Sequence, residues 1–496
     1  MAVAGIDVGT TGCKCTIYND EGQQLSEAYE EYPSAHTEGR ELDPSVVWQN
    51  VKKVLHDSAA DAGETVEAIG VASFGETFVM LDERDRPVTN TVLYTDWRGE
   101  EQCKILSFRM GTEKIMEITA LNPSSNFSIP KLMWTKEYKP EEYRKAKKIL
   151  LYADYIIYML TGETKIDYSL ASRTMAFDLK KRAWSREIFE AAEIDLEKMP
   201  DIVPTGTPVG KIRRKIAKET GISPDAIVCA GCHDQIAAAV GTGTFSTDTA
   251  VNGAGTVECI TPLFHSVKSP EVMLEGNYCT VPYVMPDTYV TYAYSNTGGA
   301  LLKWYRDKIA CMEAAEAKKK GLSPYEAFNE QLSDGASGLL VLPYFAGAAT
   351  PYMDTEVKGA ILGLTLETTS LDVYKALMEA TAYEDRLNME RIKAAGISFQ
   401  SLCSCGGGAR SSYWVQLKAD VLNLPIESLG SIQVGTLGTV MMAGVGCGIY
   451  KNLEEASSVF RKPGIWYEPD KKKHDIYMEK YEQYKKIYHA VKAVMQ

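Results

Sequence analysis

A strand–turn–strand pattern that occurs twice, once at the head of each half, constrains this chain more than any other feature. Near the N-terminus Val3, Gly5 and Asp7 alternate with Ala4, Ile6 and Val8, the chain turns at Gly9-Thr10-Thr11-Gly12, and Cys13 to Tyr18 returns with period two. The run from Thr249 to Ile260 repeats this as strand, Gly-rich turn (Asn252-Gly253-Ala254-Gly255) and strand. Two hairpins with small-residue tips point to an internal duplication. At 496 residues the chain is too long for one core and fits two domains. The Gly- and Thr-rich run at 241–250 reads as a hinge, which places one domain at 1–245 and the other at 246–496.

The other periodicities mix strand and helix, an α/β class. Asp43-Pro44 starts an amphipathic helix predicted over 44–62. Strands are predicted at 66–73 and 78–82, an apolar helix over 151–161, and a buried strand at 226–230 ahead of the small-residue helix QIAAAVG. The second half adds helices near 297–308, 370–396, 411–422 and 435–446, and a Tyr- and Lys-rich helix over 470–495 read as a packed cap. The first strand is not followed by GxGxxG, and GxxxxGK[ST] occurs nowhere, so a dinucleotide-binding or Walker-type NTPase domain fits poorly.

A net charge of −13 argues against nucleic acid or a membrane face as partner, and no apolar run approaches the length of a membrane span. The opening MAVAGIDVGTTG lacks a basic stretch before an apolar one, and the 11 cysteines are odd in number and scattered. Reduced thiols and a cytoplasmic location are the expectation. Of the close cysteine pairs only Cys229 and Cys232 have redox or metal spacing, without a second pair to complete a zinc site.

Three places could carry chemistry. Asp7 stands at a strand end before Gly9 and Gly12, which allow close backbone approach, Thr10 and Thr11, which add hydroxyls, and Lys14. Such a tip could cradle phosphate, with Asp7 holding Mg²⁺ through water, or its Asp and Thr could satisfy their own backbone. Asp234 precedes a helix, as a proton acceptor at a substrate hydroxyl or as an ordinary N-cap, with Gln235 beside it. Gly406-Gly407-Gly408 ends a strand and lets a nucleotide lie against backbone, or is a tight loop with one left-handed glycine. Glu76 interrupts two strands and could face a polyol or be a solvated turn residue, and Asp96 with Arg98 reads as a structural pair.

With these pieces placed, the chain resembles the FGGY family of carbohydrate kinases over essentially its whole length. The resemblance is carried by DVGTTGCK at 7–14, DWR at 96–98, IPKLMW at 129–134, the segment 151–174, GCHDQ at 231–235, GAILGL at 359–364 continuing to Glu379, and GGGARSSYWVQLKADVLNLPI at 406–426. It implies two actin-like (ribonuclease H-like) ATPase domains flanking a catalytic cleft, sugar mainly on the first and nucleotide mainly on the second. Asp234 falls on the position of the catalytic base. Thr10, Thr11, Gly12 and Lys14 fall on phosphate-loop positions, and Gly255, Thr256, Gly299, Lys303, Gly407 and Ser411 on other ATP positions. Asp7 falls on the Mg²⁺ position.

The implied activity is ATP-dependent phosphorylation of a small neutral sugar, with Glu76, Thr77, Asn126, Asp234 and Gln235 as substrate contacts. Members acting on xylulose carry Met-His where this chain has Gly75-Glu76-Thr77, and those acting on glycerol carry Arg-Glu-Thr. Gly75 removes the arginine and Asn126 replaces a tyrosine of the glycerol site. A ketopentose such as xylulose is therefore expected, with glycerol or another polyol as the alternative. From another class, an actin-like ATPase without a metabolite substrate stays open. The expected partners are the sugar and ATP, with Mg²⁺; a homodimer is allowed.

Overall fold

The computed structural model describes residues 1–32, 36–37, 40–430 and 433–495. They divide into two compact units, Met1–Phe245 with Thr280–Tyr289 and Gln433–Arg461, and Ser246–Cys279 with Val290–Ile432 and Lys462–Gln496.

In the first unit the N-terminal pattern folds as β1 (Ala2–Val8) and β2 (Gly12–Asn19), antiparallel, with Asp7 directly opposite Lys14. β3 (Gln24–Glu31) continues the antiparallel edge. Helix α1 (Pro44–Ala62) starts where Asp43 accepts from the Ser45 N–H and ends at Gly63 in the left-handed region, burying Val47, Val51, Val54 and Leu55. β4 (Val66–Ser73) pairs parallel with β1, and β5 (Ile227–Cys229) parallel with β4. The central order is β3-β2-β1-β4-β5. After the short helix α2 (Tyr168–Ser172), β6 (Cys232–His233) also joins β4 in parallel and leads into helix α3 (Asp234–Gly241).

The second unit repeats this plan. β7 (Thr249–Ala254) and β8 (Glu258–Phe264) form the second hairpin, its tip at 255–257, where the sequence reading put the turn at 252–255. Strand Ala293–Ser295 lies antiparallel on β8, β9 (Ser401–Cys405) parallel on β7, and β10 (Ile426–Ser428) parallel on β9. Strand for strand this is the order of the first unit, so the duplication lies in the topology as well as in the hairpins. Helices α4 (Gly299–Trp304), α5 (Ser370–Ala394) and α6 (Ser412–Leu422) pack around it.

Two segments beyond residue 245 fall in the first unit, Thr280–Tyr289 and Gln433–Arg461. Within the second of them, helix α7 (Val434–Gly446) lies on α3, β1 and β4. Small residues allow this. A Cβ on Gly5 would fall 2.3 Å from Thr436 O and one on Gly70 2.3 Å from Thr439 O, so only hydrogen permits the approach. The tail is two helices in place of one, α8 (Lys471–Tyr484) and α9 (Ile487–Met495), and Tyr477, Tyr481 and Tyr484 pack into the core of the second unit. All 11 cysteines are free. Cys229 Sγ contacts Cys447 Sγ at 3.7 Å, so its neighbour in space is not the sequence-near Cys232. Among the described residues no helix is long and apolar enough to cross a membrane.

Candidate active site

Asp7 and Asp234 come together in the first unit. β1 delivers Asp7 at its C-terminal end, and α3 delivers Asp234 as its first residue. The helix cap is His233, whose Nδ1 accepts from the Gln235 N–H at 3.3 Å. Capping therefore does not account for the aspartate one residue later. Gln235 Nε2 donates to Asp234 Oδ1 at 3.4 Å and orients it. The Asp234 side chain is open on one side, 38 % exposed, yet desolvation still pushes its carboxyl up to about 6. His233 itself is buried, and desolvation holds its imidazole down near 4, so it is neutral at pH 7 and unsuited to be the base.

Asp7 makes no hydrogen bond to its own turn. Burial, then the charge of Asp234, push its carboxyl up to about 7 against the opposing pull of Lys14. A carboxyl raised on folding favours the folded chain below its unfolded value, 3.8, and costs it stability as pH rises through about 7. In metal-free buffer, Asp7→Asn is expected to unfold at a higher temperature than the wild type at pH 8, the two converging below pH 4. A parallel pair of pH–Tm curves would contradict this.

The tip beside Asp7 is tied by the Gly9 N–H donating to Gly12 O at 2.9 Å, and by Tyr32, whose hydroxyl donates to both Gly12 O and Gly9 O. Among the described residues the side chains of Thr10 and Thr11 make no hydrogen bond, which leaves both hydroxyls for a ligand. Lys14 shares its charge with Glu27 at 3.2 Å, a constraint that its place opposite Asp7 did not reveal.

Two carboxylates within electrostatic reach of each other suit a divalent ion. Among the described residues no group of three or more acidic, His or Cys side chains could hold one. That donor set fits Mg²⁺, which keeps most of its shell as water and phosphate oxygen.

Of the expected acceptor contacts, Glu76 is buried at 6 % exposure with its backbone in the left-handed region, φ 62°. Arg173 Nε donates to Glu76 Oε1 at 2.7 Å, and Nη2 donates to the same oxygen. It is neither a solvated turn residue nor a bare carboxylate, and the sequence offered no sign of a partner 97 positions away. Thr77 is fully buried and its hydroxyl accepts from the Tyr94 N–H at 3.1 Å. Asn126 lies half-buried, its N–H donating to Ser124 Oγ at 3.2 Å; its neighbours Phe127 and Ser128 are the ones that touch Arg173 and the Glu76 carbonyl. Asp96 and Arg98 do form a two-pronged pair, at 2.8 and 2.9 Å.

In the second unit Gly255, Thr256, Gly299, Lys303, Gly407 and Ser411 all line one cavity of about 1090 Å³. The three glycines divide the work. Gly406 is left-handed at φ 92°, Gly408 is crowded by Trp414 and Ala254, and a Cβ on Gly407 would meet nothing within 4 Å. Ser411 caps α6, accepting from the Trp414 N–H, and accepts from Asn329 Nδ2 at 3.1 Å, while Asn329 Oδ1 accepts from the Tyr374 hydroxyl. Asn329, Tyr374, Trp304 and Tyr325 complete the wall. Sequence reading missed all four, because they lie in helices whose pattern reads only as ordinary packing.

The comparisons with known proteins agree with this geometry. The N-terminal domain of the FGGY family of carbohydrate kinases matches residues 2–241 and its C-terminal domain residues 253–447. A xylulose kinase of Staphylococcus epidermidis is 28% identical over 99% of this chain and 97% of its own length. A glycerol kinase of Corynebacterium efficiens is 28% identical over 94% and 93%. The crystal structure of a ligand-bound xylulose kinase from Lactobacillus acidophilus superposes with a TM-score of 0.88 at 24% identity, covering 99% of this chain and 98% of that one. With both domain signatures in order along a duplicated actin-like ATPase fold, this chain belongs to the FGGY family of carbohydrate kinases.

Proposed function

We propose that this enzyme transfers the γ-phosphoryl group of ATP to a hydroxyl of a small neutral sugar, a ketopentose such as xylulose. The observation that carries the choice of acceptor is the space at Gly75. A Cβ there would fall 2.8 Å from His233 Cδ2 and 3.0 Å from Arg173 Cγ. The arginine that glycerol-acting members bring from this position would here have to displace the His233 ring or the Arg173 stem. Asp234 accepts the proton of the attacking hydroxyl, held in place by Gln235. Thr10 and Thr11 with the N–H groups of their turn receive phosphate oxygens. Asp7 together with Asp234 holds Mg²⁺, which when bound draws charge off the phosphate oxygens. The cavity along Gly255, Gly299 and Gly407 takes the adenosine side of the nucleotide.

ADP formation across ketoses, aldoses, polyols and sugar acids tests this reading. Highest kcat/KM on a ketopentose supports it. Highest kcat/KM on glycerol transfers it to the second reading, which Glu76 and the glycerol kinase relatives favour, and silence on every acceptor overturns both. The nucleotide assignment has its own test. Gly407→Val places a branched side chain into the cavity, and because its Cβ meets nothing within 4 Å the fold is expected to be unaffected. KM for ATP should rise at least about tenfold, the cost of displacing a ligand group from a shaped pocket. A raised sugar KM with unchanged ATP KM would place the nucleotide elsewhere.

A further inference from the structure

We propose that Arg173 is a specificity-determining residue of the acceptor pocket. By binding Glu76 it turns a bare buried carboxylate into a neutral pair and commits the pocket to uncharged polyhydroxy acceptors. The inference rests on the sugar-kinase reading above and adds a residue that neither the motifs nor the family match singles out.

The geometry is specific. Arg173 follows α2, far in sequence from the strands that carry Glu76, and both side chains are largely buried, 13 % and 7 % exposed. The guanidinium lies over the Phe127 ring at 5.0 Å, and its stem packs where a side chain at Gly75 would stand. Both of its hydrogen bonds to Glu76 go to Oε1. Among the described residues Glu76 Oε2 takes none, and it is not sealed from solvent, so it is placed to accept from a ligand hydroxyl. The Glu76 backbone cannot swing away, because Ser128 Oγ donates to its carbonyl at 2.5 Å.

A carboxylate buried this far without a cation is costly and tends to take a proton. Paired with Arg173, its charge is offset, and the pair can accept hydrogen bonds while adding no net charge to the pocket.

The test compares wild type, Arg173→Gln, Glu76→Gln and the double variant with MgATP, using D-xylulose, glycerol and D-gluconate as acceptors. Arg173→Gln is expected to raise KM for the best wild-type acceptor roughly 10- to 100-fold, the size of a hydrogen bond to a charged group. The double variant, with no bare carboxylate, should recover part of the KM, which a merely structural arginine would not allow. Glu76→Gln leaves an unpaired cation and should increase relative turnover of gluconate. A wild-type KM in Arg173→Gln overturns the inference while leaving the kinase reading intact. Should that variant not fold, an unchanged acceptor preference in Glu76→Gln overturns it equally. A wild type silent on all three acceptors and on the wider sugar panel overturns the kinase reading, and this inference with it.

Discussion

Asp234→Asn is expected to lower kcat at least about 100-fold, the usual contribution of a positioned base, while the unfolding midpoint and KM for ATP stay near those of the wild type. The structure makes this a clean substitution. Asp234 occupies the first position of α3, and the cap is supplied by His233, so asparagine costs the helix no capping bond. Asparagine keeps the shape and the contact with Gln235 but cannot accept the proton. Burial sets the wild-type carboxyl near 6, so kcat should climb as pH passes through that region and the base ionises. The variant should lose that limb. Steady-state turnover from pH 5 to 8 decides the matter, and near-normal turnover in the variant would remove Asp234 from the chemistry.

Gly438→Val is expected to destabilise the first unit by about 3–5 kcal/mol, or to prevent folding, although Gly438 touches no substrate-binding residue. α3 and α7 cross with their backbones in contact. A Cβ on Gly438 would fall 1.9 Å from Ala237 O, and one on Gly241 1.9 Å from Val434 O. Backbone oxygens cannot rotate aside as a side-chain end can, so the helices must separate. Because α3 begins with Asp234, a chain that does fold should also lose turnover. Gly338→Ala serves as the control, since a Cβ there meets nothing within 4 Å, and should stay within about 0.5 kcal/mol of the wild type. Urea unfolding of both variants gives the comparison, and a wild-type midpoint for Gly438→Val would contradict the crossing.

Membership of the FGGY family removes the reading of an actin-like ATPase without a metabolite substrate. It leaves open which sugar is used, and that is where local and distant contacts part. The hairpins β1–β2 and β7–β8, the helix α1 and the glycines at 406–408 were legible in the chain itself, because strand alternation, helical spacing and turn chemistry act between residues a few positions apart. The same locality makes Asp7, Thr10, Thr11 and Asp234 readable as candidates: each stands at an element end, where backbone groups and side chains face outward from the sheet. Yet whether Asp234 was a cap or a free carboxylate turned on one hydrogen bond made by His233.

What tertiary structure alone decided were the pairings across long stretches of chain. Glu76 reads as a lone acid until folding brings Arg173 to it. Lys14 reads as a phosphate-loop charge until β3 sets Glu27 beside it. Helix α7 reads as part of the second half until its glycines let it lie on β1 and α3. Sequence periodicity records which face of an element is apolar, so it determined the elements, their order and the loops that could hold a phosphate. It carries no record of which charged side chain meets which other, because that depends on packing distances set by the whole core, and those distances decide whether a carboxylate is a base, a metal ligand or half of an ion pair.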